Sequence, residues 1–185
     1  RGLGDVYKRQ MQNRSKVPIL VDADIEHGLH QRFPEGTEVP PFMAIAASGR
    51  PENAYEVGKL VAKESRAVGI HWNFSPVVDV NNNPNNPIIN VRSFSEDPGV
   101  VSLYATQYIS GLQDNGMLAT AKHFPGHGDT ETDSHSSLAM IPSDSSRLWE
   151  IEIPPFQDMI EKGIDAIMVA HVHSPDYQPD SYTPA

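Results

Sequence analysis

Four short apolar runs, rich in β-branched residues and each ending at polar or ionisable side chains, constrain this chain more than any other feature. They are Val17-Pro-Ile-Leu-Val21 before Asp22, Ile70 to Val78 before Asp79, Met117 to Ala121 before Lys122-His123, and Asp165 to Val172, which ends around His171. Continuous apolar runs of this length read as strands covered on both faces. Helical patterns lie between them. Ala54, Val57, Leu60 and Val61 share one face of residues 52–67, with Gly69 as the stop. Asp97-Pro98 is a helix start, followed at helical spacing by Val101, Tyr104, Tyr108 and Leu112 and closed by Asn115-Gly116. A third helix covers 148–162, where Pro154 and Pro155 mark an early kink or a late start and Gly163 ends it. Alternation of this kind predicts an α/β fold with a parallel sheet. Polar residues at each strand end favour a (β/α)8 TIM barrel, in which chemistry is built on that rim. An open doubly wound sheet is the alternative, but no Gly-rich phosphate turn follows the first strand.

The chain has 185 residues, whereas a complete barrel takes about 250. The expectation is therefore an incomplete barrel of about four strands, occupying residues 11–185. Residues 1–10, RGLGDVYKRQ, show no clear helical or strand period and read as a non-native or unstructured leader. Residues 81–90 are Asn- and Pro-rich and read as a long loop. Lys and Arg number 14 against 24 Asp and Glu, a net charge of −10. That balance disfavours nucleic acid or an anionic membrane as partner. No apolar run approaches the roughly 20 residues of a membrane span. Cysteine is absent, which excludes a thiol nucleophile and Cys-ligated zinc.

The chemistry concentrates in Lys122-His-Phe-Pro-Gly-His-Gly-Asp-Thr-Glu-Thr-Asp-Ser-His135, with three His, two Asp and a Lys in fourteen residues. Asp133 and His135 are two apart, so an extended backbone puts them on one side. A carboxylate there orients an imidazole and raises its basicity, giving a plausible general acid/base pair. Lys122 and His123, at the strand end, can donate hydrogen bonds to hydroxyls.

This segment closely resembles the signature loop of family 3 glycoside hydrolases, in particular their bacterial β-N-acetylglucosaminidase branch. The resemblance covers residues 17–175 and includes Val21-Asp22, Asn73-Phe-Ser-Pro-Val-Val-Asp79, Asn90-Val-Arg-Ser-Phe-Ser-Glu-Asp-Pro98 and Met168-Val-Ala-His171. It implies a retaining exo-glycosidase of the β-N-acetylhexosaminidase kind acting on N-acetylglucosaminide-like carbohydrate, with no metal or other cofactor, from bacterial cytoplasm or periplasm. His135 would be the acid/base and Asp133 its orienting partner. Asp22, Arg92, Lys122 and His123 would hold the sugar, Met168 and His171 would line the pocket floor, and Asp79 would act structurally or behind them. In the family the Asp is usually followed by a Glu-Gly-Gly-Arg-like turn; here the text from Asp22 is Ala23-Asp24-Ile25-Glu26-His27-Gly28, with Arg32 able to fill the basic place. The family nucleophile is an Asp on the strand after the one ending at His171. Asp176 and Asp180 do not match it, so the chain as given is expected to lack it and to be catalytically incomplete.

Other readings stand beside this one. Arg92 could form a surface ion pair with Glu96 or Asp97. A metal-dependent hydrolase could use His171-x-His173 with His123, His127 and Asp129. A sugar-binding module without turnover, or a β-glucosidase or other exo-glycosidase of the same family, would use the same contacts. The sequence leaves the oligomeric state open.

Overall fold

The computed structural model describes residues 3–132, 138–141 and 145–174. Its centre is a four-stranded parallel sheet made of β1 (Asp22–Ala23), β2 (Trp72–Asn73), β3 (Leu118–Phe124) and β5 (Ala166–Val169). The spatial order is β1-β2-β3-β5. Register runs through Asp22 opposite Trp72, Trp72 opposite Leu118, and Thr120 opposite Ala166. A second parallel pair joins β4 (Ala139–Met140) to β6 (Val172–His173). Helices α2 (Phe42–Ala47), α3 (Glu52–Ala67), α4 (Pro98–Gln113) and α6 (Ile153–Lys162) occur between the sheet strands in chain order. Parallel strands joined by crossover helices form a curved wall, an arc of a (β/α)8 barrel.

Local chemistry sets the boundaries. Asp97 caps α4, its carboxylate accepting from the Val100 amide at 3.0 Å, and Pro98 opens the helix. Gly163 closes α6 in the left-handed conformation at φ 86°. Ahead of α6 the chain runs through the short turn α5 (Ser145–Arg147) and a π-helical turn over Leu148–Glu152; this is how the segment accommodates Pro154 and Pro155. Helices α3 and α4 approach closely at Gly58 and Gly111. A Cβ on Gly58 would lie 2.3 Å from the Tyr108 carbonyl oxygen, and one on Gly111 2.2 Å from that of Tyr55. Beneath them Phe42 stacks on Phe94 at 4.7 Å and meets Tyr108 edge-on at 5.1 Å.

Three expectations change. Residues 3–14 form a helix, α1 (Leu3–Arg14), across the position where a leader was expected to end. Helix-forming Lys, Arg, Gln and Met carry it, and Val6, Tyr7 and Met11, which share one face at helical spacing, are exposed rather than packed. The run 17–21 is not a buried strand. Its ladder begins only at Val21, whose carbonyl accepts from His71 and Trp72, and Val17 is 73% exposed, because β1 is the outer strand of the sheet. The run 70–78 yields only two ladder residues; Val77 then bridges to Lys122 beyond Ser75-Pro76, where a proline has no amide to give a ladder.

Candidate active site

The rim at the C-terminal ends of the strands encloses a cavity of about 480 Å³ whose lining includes Asp24, Glu26, His27, Arg92, Lys122, His123, Met168 and His171. Five residues expected from the sequence, Arg92, Lys122, His123, Met168 and His171, are thus brought together. Asp22 is not. It sits inside the β1 ladder and is exposed, and Asp24, one step past the strand, takes the rim position. Glu26 follows Asp24 two residues on, and His27-Gly28 opens the turn after it. The ladder, which starts later than the apolar run, explains the two-residue difference between Asp22 and Asp24. Asp133 and His135 lie outside the described residues.

Lys122, from the end of β3, is 2% exposed. Its Nζ donates to Asp24 Oδ1 at 2.7 Å and lies 2.6 Å from Glu26 Oε1. Arg92 grips Glu26 with both arms: Nε to Oε2 and Nη2 to Oε1, each 2.9 Å. Its remaining Nη1 donates to the Ile88 carbonyl at 3.0 Å. Arg92 therefore pairs with Glu26, not with Glu96 or Asp97. Burial opposes the Glu26 charge, but the hydrogen bond from Arg92 and the charges of Lys122 and Arg92 overcome it and hold the carboxyl at about 2. Burial likewise works against the Arg92 charge, and Glu26 overrides it, raising the guanidinium above its usual range. Sequence reasoning missed Asp24 and Glu26 as rim residues; the Asp-x-Glu spacing immediately past a strand was the available signal.

Asp79, 1% exposed, is the second anchor. Its carboxylate accepts from His123 Nδ1 at 2.7 Å, from the His123 amide at 3.1 and 3.2 Å, and from the His127 amide at 2.7 Å. Burial pushes this carboxyl up; the His123 charge and hydrogen bond, with the two backbone amides, pull it below its ordinary value. An ionised carboxylate only accepts, so Nδ1 carries the proton and Nε2 of His123 is the atom left for the cavity. Asp79 thereby fixes both the tautomer and the ring angle of His123.

The loop that leaves β3 is held from below. Asn86 donates to the His127 and Gly128 carbonyls at 2.7 and 3.1 Å, and its own oxygen accepts from the Ile88 and Ile89 amides. Gly128 presses on the chain before the Asn-rich loop: a Cβ there would stand 1.7 Å from the Val80 carbonyl oxygen. Thr130 Oγ1 meets His127 Nδ1 at 2.6 Å, and burial lowers the proton affinity of that imidazole. Asp129 pairs with Arg147 at 2.7 Å. Glu152 lies below the loop, 1% exposed, its Oε1 accepting from Asn82 at 2.9 Å. Its Oε2 is buried with no hydrogen-bond partner among the described residues, and burial raises the carboxyl above its ordinary value.

Among the described residues no group of three or more His, Asp or Glu is placed to hold a metal ion; His123 is taken by Asp79, and Asp129 by Arg147. The arrangement is a cradle of mutually paired donors and acceptors, Lys122 and Arg92 on Asp24 and Glu26, with Arg32 at the exposed edge and an imidazole beside it. Because Lys122 and Arg92 are already spent on carboxylates, the cradle suits a ligand rich in hydroxyls better than a phosphate.

Comparison with known proteins gives consistent results. The profile described as "Glycosyl hydrolase family 3 N terminal domain" matches residues 3–185. The structure is similar to that of a glycoside hydrolase family 3 β-N-acetylglucosaminidase from Paenibacillus sp. str. FPU-7, with TM-score 0.90 and 41% identity, covering 97% of this chain and 35% of that one. A β-hexosaminidase of Stenotrophomonas maltophilia (strain R551-3) is 40% identical over a 201-residue alignment that covers 97% of this chain and 59% of the relative. A protein of Cellulomonas fimi named β-N-acetylglucosaminidase/β-glucosidase is 36% identical over 168 residues, 90% of this chain and 30% of its own length. The chain thus spans well under two thirds of the length of these relatives.

Proposed function

The chain belongs to the glycosyl hydrolase family 3 N-terminal domain family, and from that premise we propose that its rim cavity is the sugar site of a retaining, exo-acting β-N-acetylhexosaminidase. The observation that carries this reading is the cradle itself: Lys122 and Arg92 matched by Asp24 and Glu26, with His123 oriented by Asp79. In this reading Lys122, Asp24 and Arg92 bind hydroxyls of the terminal sugar, and His123 Nε2 contributes a further hydrogen bond. Met168 and His171, at the end of β5, form the facing wall. Asp22 has no part in it.

His135 is the acid/base, and Asp133 orients it. In the first step the imidazolium gives its proton to the glycosidic oxygen while a carboxylate nucleophile attacks the anomeric carbon and the leaving group departs. In the second, the same imidazole takes a proton from water as that water displaces the carboxylate. No residue of this chain is assigned as the nucleophile, because neither Asp176 nor Asp180 fits the pattern. The Asn86 and Gly128 contacts support the reading by holding the base of the loop that leads to Asp133 and His135.

A second reading, a β-glucosidase, is favoured by the double name of the Cellulomonas fimi relative. Calorimetric titration with N-acetylglucosamine and with glucose separates the two. Saturable one-to-one binding of N-acetylglucosamine, with glucose weaker, is the expected result. Equal binding favours the β-glucosidase, and binding of neither overturns the proposal. In the same preparation, robust His135-dependent release of nitrophenol from a chromogenic N-acetyl-β-D-glucosaminide would show that a nucleophile is present after all.

A further inference from the structure

His27 occupies the turn between β1 and the short 3-10 helix Leu29–Gln31, and nothing above assigns it a task. Its backbone is pinned. The Gln31 side-chain oxygen accepts from the Glu26 amide at 2.9 Å and from the His27 amide at 3.3 Å, and the His27 carbonyl accepts from Val39 at 3.1 Å. Its half-buried imidazole lines the rim cavity, and no hydrogen bond or ion pair engages the ring among the described residues. The neighbouring Glu26 is locked by Arg92 and Lys122, so the ring is carried on a fixed support. A polar ring held in place at a cavity wall, with its bonding capacity unspent, is preorganised for a ligand. A neutral imidazole offers one donor and one acceptor, which matches a hydroxyl, itself both donor and acceptor. Beside it Lys122 and Arg92 are paired with Asp24 and Glu26, which favours an uncharged polyol over an anion.

We propose that His27 is a ligand-contacting, specificity-determining residue of this cavity, its imidazole hydrogen-bonding a hydroxyl of the bound glycan. This deepens the sugar-site reading and rests on it.

The test uses the 185-residue chain with 15N-labelled histidine, titrated with N-acetylglucosamine and observed through its ring nitrogens. Saturation is expected to move the His27 ring signals. His27→Gly should weaken binding about 3- to 10-fold, the size of one neutral hydrogen bond, and His27→Gln, which keeps a donor and an acceptor, should recover part of the loss. If the wild-type chain binds the sugar while the His27 ring does not respond, the inference falls and the sugar site stands; unchanged affinity in His27→Gly has the same meaning. If the wild-type chain does not bind, both fall. Should His27→Gly fail to fold, the ring signals of the wild-type chain still decide.

Discussion

Two glutamates, both nearly inaccessible to solvent, meet opposite fates in this molecule. Glu26 at the rim is gripped by Arg92 and Lys122 and stays ionised far into acid. Glu152, under the loop that leaves β3, has one oxygen on Asn82 and the other without a hydrogen-bond partner among the described residues, and burial drives it toward the neutral form. Depth is therefore not what sets a carboxyl's charge here; the donors and cations within hydrogen-bond reach do. The paired carboxylate is part of a rigid surface able to position hydroxyls. The orphan contributes packing against Gly126, where a Cβ would come within 2.7 Å of the Glu152 side chain.

The largest test of this contrast removes the cations. Arg92→Leu strips Glu26 of its two-armed partner and is expected to destabilise the fold by about 3–5 kcal/mol, the usual consequence of leaving a buried charge half-paired. Urea denaturation measures it, and a change below about 1 kcal/mol would show that the clamp is not what holds Glu26 ionised. Acid titration of stability comes next. Glu26 has a folded value of about 2 against an ordinary 4.5. The stabilisation it brings is fully present above 4.5 and is lost as pH falls toward 2. Its size is on the order of 3 kcal/mol. Asp79, also depressed, adds loss in the same direction. Glu26→Gln should flatten that part of the profile.

Glu152 has the opposite sign. Its folded value is raised, so its contribution is most favourable below the ordinary carboxyl range and is lost as pH rises through the folded value. Glu152→Gln should therefore leave neutral-pH stability unchanged or improve it by up to about 1 kcal/mol, whereas the same exchange at Glu26 weakens the fold. Thermal unfolding at pH 5 and 8 checks this. The smallest effect is at Arg32, whose ion pair with Asp24 is long at 3.8 Å and exposed. Arg32→Ala should shift stability by less than about 0.5 kcal/mol, separating a rim pair from the buried clamp.

Much of this architecture was legible in the sequence where the signal is local. The bounds of α3, the Asp97 cap and the Gly163 stop follow from residues a few positions apart, and the KHFPGHGD segment announces its rim position by following an apolar run. Long-range pairings were not legible. Arg92 has acidic neighbours at 96 and 97, yet its partner is Glu26, 66 residues earlier, and only the sheet order brings them together. Asp22 stands out in the sequence because it directly follows the apolar run, whereas the ladder continues to Ala23 and leaves Asp24 at the rim. On the outer strand the run is exposed and the ladder starts late. Helix α1 is faint in the sequence because its apolar residues, Leu3, Val6, Tyr7 and Met11, are few among charged and polar neighbours.

In the proposed function the clamp of Lys122, Arg92, Asp24 and Glu26 holds the terminal sugar. Calorimetric titration of N-acetylglucosamine into the wild-type chain and Lys122→Met, with folding of each verified by circular dichroism, tests it most directly. Saturable binding to the wild type and loss of at least about tenfold in affinity in the folded variant, as for a charge-assisted hydrogen bond, is the predicted result. Equal affinity in the two folded proteins would contradict the account.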